Sequence, residues 1–316
     1  MIMWSPRRGK IASIVVAAAV TSMLATAPEA SAAPAESAAD STTEDAAHGV
    51  GSRHTVFNKA LVTFVYDQLF NHGNLSVIDT FISADYIQHN PNLADGREPL
   101  RQFVASVHAN FPQNRNAIVR VLGDGDLVLI HSHATRVPGT KGQSIIDVFR
   151  VADGKIVEHW DVLQAVPDST VSGNDMFTTL SDPQIDGPDP LAHTARSKQT
   201  ALGYFSRMSD DHDLTAIDQY LGGAYYQHDP NLPNGIAAAK AAYAFIFATY
   251  PGFTATSLKV VAEGDLVAVR YHYKTSPEDR GQAIVDMFRV RNGKIVEHWD
   301  VAQDIPATSA NDNTMF

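Results

Sequence analysis

The spacing of hydrophobic residues changes along the chain from a helical to a strand pattern, and this order of patterns occurs twice. In the first half they recur every three or four residues, which is typical of a helix with one buried face. This spacing predicts three helices, over 57–70, 75–81 and 98–111. Apolar and polar residues then alternate between turn residues, which predicts strands over 117–122, 127–135, 143–151 and 155–164. Helices followed by an antiparallel meander indicate the α+β class.

Whole phrases also return farther along the chain, at a constant distance. The sequence Tyr-Ile-Gln-His-Asn-Pro-Asn-Leu at 86–93 returns as Tyr-Tyr-Gln-His-Asp-Pro-Asn-Leu at 225–232. Lys-Ile-Val-Glu-His-Trp-Asp-Val at 155–162 returns unchanged at 294–301. Both pairs are 139 positions apart, so no net insertion has accumulated between the copies. We infer a tandem duplication of one domain.

The duplication predicts two domains, repeat 1 over 54–177 and repeat 2 over 193–316. Each copy is long enough to bury its own hydrophobic core. Residues 178–192 between them carry three prolines, which favour a semi-extended linker.

The N-terminal residues have the pattern of an export signal. Arg7-Arg8 precedes an Ala/Val-rich apolar stretch, and Ala-Ser-Ala at 30–32 supplies small residues for a peptidase site. We predict a cleaved signal peptide over 1–32 because the apolar stretch is short for the alternative, a membrane anchor. Residues 33–53 lack apolar periodicity, which predicts a disordered lead-in. We therefore expect a secreted protein, extracellular or in the cell envelope, without stable membrane association after cleavage.

Composition excludes several classes of protein and site. The 316 residues carry a formal net charge of −11, and phosphate binding needs clustered Lys and Arg, so we expect no nucleic acid partner. The chain has no cysteine, which excludes disulfides, zinc–thiolate sites, iron–sulfur clusters and cysteine nucleophiles. Histidines and carboxylates remain as the candidate reactive groups, and we expect no cofactor.

Three features together resemble one known family: the phrase around His89, the strand carrying Asp147, and Glu-His-Trp-Asp at 158–161. They resemble the SnoaL-like polyketide cyclases, in the branch of predicted SnoaL-like aldol-condensation-catalysing proteins. That family belongs to the nuclear-transport-factor-like superfamily. The resemblance implies two tandem cone-shaped α+β barrels, each with N-terminal helices packed on a curved, four-stranded antiparallel sheet. It also implies that the two repeats pair as an intramolecular pseudo-dimer.

Asp147 and Asp286 are the strongest candidates for catalytic residues. Each lies among Ile, Val and Phe on a predicted strand, where an unpaired charge is costly to bury. Such a carboxyl is suited to remove a proton next to a carbonyl; the alternative is a structural Asp bonded to a neighbouring His or Arg. The resemblance adds a His one strand earlier, which implies the pairs Asp147 with His133 and Asp286 with His272.

One histidine of each repeat lies in the loop after the second helix. His89 and His228 are each followed by a proline two positions on. Either side chain is suited to polarise a carbonyl at the mouth of a pocket. Each is equally suited to fix the loop by hydrogen bonding, and the sequence leaves both interpretations open.

The last strand of each repeat presents a His and an Asp on one face. His159 shares a face with Asp161, and His298 shares one with Asp300, because side chains alternate along a strand. If this face lines a pocket, each pair could orient a proton relay. Trp160 then faces the other side, where we expect it to pack between the copies.

A metal site deserves a test because His131 and His133 have His-x-His spacing on one strand face. The counterpart of His131 in repeat 2 is Arg270, which would repel a cation. We therefore predict no metal at this strand and retain His131 as a candidate pocket residue.

These features predict cofactor-free acid/base catalysis, an aldol cyclisation or isomerisation, on a small carbonyl compound. The alternative is a non-catalytic module that binds a hydrophobic small molecule. A third interpretation has one active and one degenerate copy. It rests on three polar residues of repeat 1 that repeat 2 replaces: His131 by Arg270, Asp85 by Ala224 and His108 by Phe247.

Overall fold

The structure, a computed structural model, describes residues 42–316, with side chains from residue 53 onward. The predicted signal peptide over 1–32 and the first part of the predicted lead-in lie outside the described residues. Among the residues that are described, no helix is both long and apolar enough to cross a membrane.

The two repeats contain the same elements in the same order. Repeat 1 consists of α1 (Thr42–Phe70), α2 (Ser76–Phe81), β1 (Ile82–Gln88), α3 (Arg97–Asn110), β2 (Arg115–Asp124), β3 (Leu127–Thr135), β4 (Gln143–Ala152) and β5 (Lys155–Ala165). Repeat 2 consists of α4 (Thr194–Ser209), α5 (Thr215–Tyr220), β6 (Leu221–Gln227), α6 (Ile236–Thr249), β7 (Thr254–Glu263), β8 (Leu266–Lys274), β9 (Gln282–Arg291) and β10 (Lys294–Asp304). The α+β class and the tandem duplication are confirmed.

Each repeat has one open, five-stranded mixed sheet. The strand order is β1-β5-β4-β3-β2 in repeat 1 and β6-β10-β9-β8-β7 in repeat 2. Strands β2 to β5 form the predicted antiparallel meander, whereas β1 pairs in parallel with β5. The sheets are therefore not purely antiparallel, and neither closes into a barrel.

The sequence pattern missed β1 and placed the start of the first helix too late. Strand β1 follows α2 directly, and two successive apolar residues, Tyr86 and Ile87, interrupt the alternation that would predict a strand. Helix α1 begins at Thr42, so residues 42–53 are helical, although a disordered lead-in was predicted there. No proline interrupts 42–57, so the backbone hydrogen bonds of the helix can continue toward the N-terminus.

Two of the three hydrophobic clusters lie within single repeats. In repeat 1, Val62 and Val65 of α1 and Val104 of α3 belong to one buried cluster with Ile130 and Phe149 of the sheet. The helices therefore cover one face of the sheet. An equivalent cluster forms the core of repeat 2.

A third cluster joins the opposite faces of the two sheets. It includes Trp160 and Val148 from repeat 1 with Trp299 and Met287 from repeat 2. Both tryptophans are 1% exposed, as the interpretation of Trp160 as a packing residue requires. The repeats thus bury the sheet faces that their own helices leave uncovered.

The C-terminal tails of the repeats cross over to the other repeat. The Asn174 amide donates to the carbonyl of Gln227 in repeat 2 over 2.9 Å. Its counterpart Asn313 donates to the carbonyl of Gln88 in repeat 1 over 3.0 Å. Each repeat therefore helps to hold the loop that follows the first strand of its partner.

The linker over 178–192 is fixed to repeat 2 by a buried ion pair. Arg289 and Asp265 are fully buried, with 2.8 Å between Nη1 and Oδ2. Arg289 Nη2 also donates to the carbonyl of Asp186, and Asp265 Oδ1 accepts from the amide of Asp189 over 2.8 Å. Both charges are thus compensated, as burial requires.

Candidate active site

Repeat 1 encloses a cavity of about 60 Å³ between its helices and its sheet. Most of the wall is apolar, and its larger members are Val65, Leu69, Phe70, Leu100, Phe103, Ile145, Phe149 and Leu163. The residues with polar groups that line it are Tyr66, Tyr86, Gln88, Asn90, Asn116, Arg136, Asp147, His159 and Asp161. An apolar chamber with a few convergent polar groups is the usual form of a small-molecule site.

Asp147 and His159 form a hydrogen-bonded pair at this cavity. Antiparallel pairing of β4 and β5 sets Asp147 opposite Asp161 and Phe149 opposite His159, so alternation turns all four toward one face. His159 Nε2 lies 2.9 Å from Asp147 Oδ1. The dyad is buried, with Asp147 5% and His159 7% exposed.

The hydrogen bond of the other ring nitrogen, Nδ1, determines how His159 is protonated. His159 Nδ1 lies 2.9 Å from Gln88 Oε1, an oxygen that also accepts from the Asn90 amide over 2.8 Å. Nδ1 must therefore be the donor. Nε2 then either donates to the Asp147 carboxylate or accepts from its protonated form. In both cases one proton is shared between His159 and Asp147.

Asp161 is the second carboxyl of the site. Its Oδ2 accepts from the Asn90 side chain over 2.6 Å. Burial raises the pKa of Asp161; His159 opposes this effect and the charge of Asp147 adds to it. Among the described residues, Asp147 Oδ2 and Asp161 Oδ1 have no hydrogen-bond partner. The dyad and Asp161 thus offer a ligand one oxygen suited to accept and one suited to donate.

Tyr66 adds a neutral donor that the sequence pattern did not single out. Its hydroxyl lies 2.8 Å from Ser132 Oγ and accepts from the Asn116 amide over 3.2 Å. Burial is the main cause that raises the pKa of Tyr66 well above 10, with a further contribution from Asp147, so the phenol keeps its proton. A tyrosine on the apolar face of a helix usually signals core packing, which concealed this residue.

The pairing of Asp147 with His133 that the resemblance implied does not form. Asp147 is opposite Ile130, whereas His133 is opposite Ser144, and residues three apart on a strand face opposite sides. His133 Nε2 instead bonds the carbonyl of Lys141 over 2.7 Å. His272 is turned away from Asp286 in the same manner, with its Nε2 2.8 Å from the Arg280 carbonyl.

The loop histidines and His131 also lie outside the cavity. His89 bonds Glu158 over 3.0 Å and stacks on Trp160 with 4.8 Å between ring centroids; His228 does the same with Glu297 and Trp299. These contacts match the loop-fixing interpretation. His131 is fully buried against Ser144, over 2.9 Å. Burial and then Arg120 lower the pKa of His131 well below 6.5, so it stays neutral.

Repeat 2 retains the Asp and His of the dyad without the hydrogen bond between them, and larger side chains fill the space around them. His298 Nε2 and Asp286 Oδ1 are 3.3 Å apart, and His298 and Asp300 again share a face. Tyr271, which replaces Ser132, donates its hydroxyl to Asp286 over 3.2 Å. Larger side chains replace Val65, Val104 and Ser132 of repeat 1, namely Tyr204, Tyr243 and Tyr271.

A third carboxyl distinguishes the acidic cluster of repeat 2. Asp229 takes the place of Asn90. Burial raises the pKa of Asp300 well above 3.8, and the charges of Asp229 and Asp286 add to this. Asp300 Oδ1 has no hydrogen-bond partner in the described part of the chain. Repeat 2 thus holds Asp229 and Asp300, whose pKa values burial raises, in a tyrosine-packed core.

The site of repeat 1 also contains a possible set of metal ligands. Asp147, His159 and Asp161 each offer one ligand atom, and these atoms lie within 4.8 Å of one another. However, both nitrogens of His159 are engaged, Nε2 by Asp147 and Nδ1 by Gln88, so the histidine has no free ligand atom for a cation. We therefore interpret the set as a proton-transfer network.

The model of the SnoaL-like domain family matches the sequence twice, over residues 62–159 and 201–298. The chain belongs to this family. Each SnoaL-like match contains the Asp and His of one pair, Asp147 with His159 and Asp286 with His298, and the pair is hydrogen-bonded in repeat 1. Comparison with curated proteins finds no match.

Several solved structures are similar to single repeats of this chain. IdmH from Streptomyces antibioticus, a candidate polyketide cyclase, is 26% identical, and the alignment covers 34% of this chain and 91% of that one, with a TM-score of 0.29. A candidate SnoaL-like polyketide cyclase from Jannaschia sp. CCS1 is 20% identical over 35% and 88%, with a TM-score of 0.31. A candidate ketosteroid isomerase from Kribbella flavida is 16% identical over 37% and 84%, with a TM-score of 0.32.

Proposed function

We propose that repeat 1 catalyses proton transfer next to the carbonyl of a small compound, as an aldol cyclisation or an isomerisation requires. One observation carries the proposal: the hydrogen bond of 2.9 Å between His159 and Asp147 lines an enclosed, largely apolar cavity. A base at such a place is shielded from water and close to any ligand that enters.

The residues divide the reaction between them. Asp147 Oδ2, which has no partner in the described part of the chain, takes the proton from the carbon next to the carbonyl. His159 stays bonded to Oδ1 and orients the carboxylate. Asp161, whose pKa burial raises, donates a hydrogen bond or a proton to the enolate oxygen as charge develops there. Returning the proton to another carbon would complete an isomerisation.

Family membership supports this class of reaction. Solved structures that are similar to single repeats carry names such as polyketide cyclase and ketosteroid isomerase, and both names describe chemistry next to a carbonyl. The expected small-molecule partner is therefore a carbonyl compound, and the proposed mechanism uses only side chains of this chain.

The two repeats provide a matched test. We expect Asp147→Asn to lower the rate by about a hundredfold to ten-thousandfold, the usual contribution of a positioned base. Asp286→Asn is the control, because Tyr271 already bonds that carboxylate. The assay is NMR-detected exchange of hydrogen for deuterium next to the carbonyl of small ketones in D₂O. Equal rates for Asp147→Asn and the wild type would rule out the proposed base.

The packing of repeat 2 favours a second role for that copy. Tyr271 bonds Asp286 and lies 8% exposed in the core, which suits a supporting domain better than an open site. We therefore propose one catalytic and one supporting repeat. A rate that falls equally with Asp286→Asn and Asp147→Asn would contradict this division.

We also propose that the chain is exported, on the basis of the basic and apolar pattern over 1–32. Expression in a bacterial host that exports proteins, followed by mass spectrometry of the N-terminus, tests this directly. We expect a mature chain that begins at Ala33 outside the cytoplasm; an uncleaved chain inside it would contradict the proposal.

A further inference from the structure

Arg136 is the one Lys or Arg side chain among the residues that line the repeat 1 cavity. It follows β3 directly, and its guanidinium donates to Asn114 Oδ1. The Asn114 amide in turn donates to the carbonyl of Phe70 over 2.5 Å, and Phe70 is part of the same wall. The cation is thus held at the cavity by neutral groups.

Arg136 forms no ion pair within the part of the chain that the structure describes. Among residues 53–316, no carboxylate lies within 4.0 Å of its guanidinium. Burial lowers the pKa of Arg136, while the nearby Tyr66 and Asp147 oppose this effect. A guanidinium has five N–H donors in a rigid fork, and Asn114 takes up only part of them. A partly desolvated cation with free donors at a cavity is suited to bind an anion.

The shape of the guanidinium indicates which anion fits. Its parallel N–H groups match the two oxygens of a carboxylate. The cavity of about 60 Å³ has less than half the volume of a protein cavity that holds benzene, ~150 Å³. The observed conformation therefore excludes a polycyclic ligand, and a ligand as short as acetoacetate enters when side chains of the wall move apart.

Repeat 2 replaces this arrangement together with its cavity. Thr275 stands where repeat 1 has Arg136, and Phe253 and Ala255 stand in place of Asn114 and Asn116. Thr275 is engaged locally, with its hydroxyl donating to Asp279 over 2.8 Å. The copy whose core is packed with tyrosines thus lacks both the cation and the amide that holds it.

We propose that the ligand of repeat 1 is a short-chain oxo acid, whose carboxylate binds Arg136 while its carbonyl and the adjacent carbon face Asp147 and Asp161. This inference rests on the proposed function and names the substrate class of the same site. Arg136 determines specificity, because it offsets the repulsion between the acids of the site and an anionic ligand.

Two ligands of nearly equal shape test the charge requirement. Acetoacetate and 2,4-pentanedione differ in that a methyl group replaces a carboxylate oxygen. Titration calorimetry should show acetoacetate binding to the wild type, and Arg136→Gln should weaken it by about tenfold to a hundredfold, the worth of a charged hydrogen bond. Binding of 2,4-pentanedione should be weak and unaffected. Arg115→Gln, at an exposed arginine nearby, should leave both affinities unchanged.

A second variant keeps the test decisive if Arg136→Gln folds poorly. Arg136→Lys retains the charge without the fork, so it should bind acetoacetate at an affinity between those of the wild type and Arg136→Gln. Circular dichroism and thermal unfolding establish that each variant is folded. Equal binding of both ligands by the wild type, or acetoacetate binding that Arg136→Gln leaves unchanged, would overturn the inference. Failure of oxo acids with three to six carbons to bind would also overturn it.

Exchange measurements separate this inference from the proposed function. We expect Asp147→Asn to bind acetoacetate through Arg136 but to lose catalysed deuterium exchange. Binding that depends on Arg136 without exchange in the wild type would preserve the anion site and refute the catalytic proposal. Exchange that is independent of Arg136 would preserve the catalytic proposal and refute the anion site.

Discussion

Replacing Tyr271 by Ser would give repeat 2 the residue that repeat 1 has at the same place, Ser132. The Tyr271 ring is 8% exposed and packs edge-to-face on Phe205, with 5.1 Å between ring centroids. Its hydroxyl donates to Asp286 over 3.2 Å. The substitution therefore removes a buried ring and a hydrogen bond while adding a side chain that the fold accommodates in the other copy.

The expected loss of stability follows from these contacts. Truncating a large buried aromatic side chain lowers the free energy of unfolding by about 3–5 kcal/mol, which includes the space left behind. The hydrogen bond to Asp286 accounts for about 1 kcal/mol of this. We therefore expect Tyr271→Ser to fold with a free energy of unfolding about 3–5 kcal/mol below that of the wild type.

Urea unfolding followed by tryptophan fluorescence measures the loss, and added phenol tests its cause. Phenol should occupy the vacated space and recover part of the stability, because a ligand that binds only the folded state stabilises it. Tyr226→Ser is the control: Tyr226 is half-buried on β6, so the loss should be smaller and phenol should not reverse it. A loss below about 1 kcal/mol, or no effect of phenol on Tyr271→Ser, would refute the view that this ring fills the cavity.

Two further predictions concern buried charges in repeat 2. Because the pKa of Asp300 is raised in the folded state, its contribution to stability is present at low pH and is lost as pH rises from about 3.8 toward the folded value. Asp300→Asn should therefore gain stability relative to the wild type as pH rises, by about 1–3 kcal/mol; a constant difference in urea unfolding from pH 4 to 8 would contradict this. Arg289→Gln should lower the free energy of unfolding by about 1.5–3 kcal/mol, because the buried Asp265 loses one of its two guanidinium partners while Arg291 remains at 3.0 Å. The equivalent change in repeat 1, Arg150→Gln, concerns a partly exposed side chain and should cost about 1 kcal/mol or less; equal losses would contradict the burial argument.

The duplication made much of the fold predictable from the sequence. Each predicted helix and strand could be checked against a second copy, and all seven of repeat 1 are present. Strand β1 was missed for two reasons. Its parallel pairing with β5 joins residues that are far apart in sequence, and two successive apolar residues, Tyr86 and Ile87, interrupt its apolar–polar alternation. The extension of α1 to Thr42 could not be read from amphipathic spacing, since residues 42–53 show none.

The candidate site was predictable only in part. Burial of a carboxylate on an apolar strand identified Asp147, and alternation placed His159 on one face with Asp161. The register between strands cannot be read from alternation within a strand, so His133 was chosen as the partner of Asp147 although it faces the other side. Arg136 lies just past a strand end, where a charged residue usually faces solvent. Only the packing of α1 and α3 over the sheet brings it to the cavity.

Because the C-terminal tail of each repeat contacts the other repeat, sequence changes in one repeat affect the structure of the other. His89 of repeat 1 bonds the carbonyl of Thr314 over 2.6 Å, so the end of repeat 2 helps to hold the loop beside the proposed active site. Under our proposal, repeat 2 is free to lose its own chemistry but not its last few residues. A gene that encoded repeat 1 alone would yield a domain lacking that support unless a second copy supplied it. Gene duplication and fusion thus placed within one chain the tail-to-loop contacts that two separate copies could otherwise make with each other.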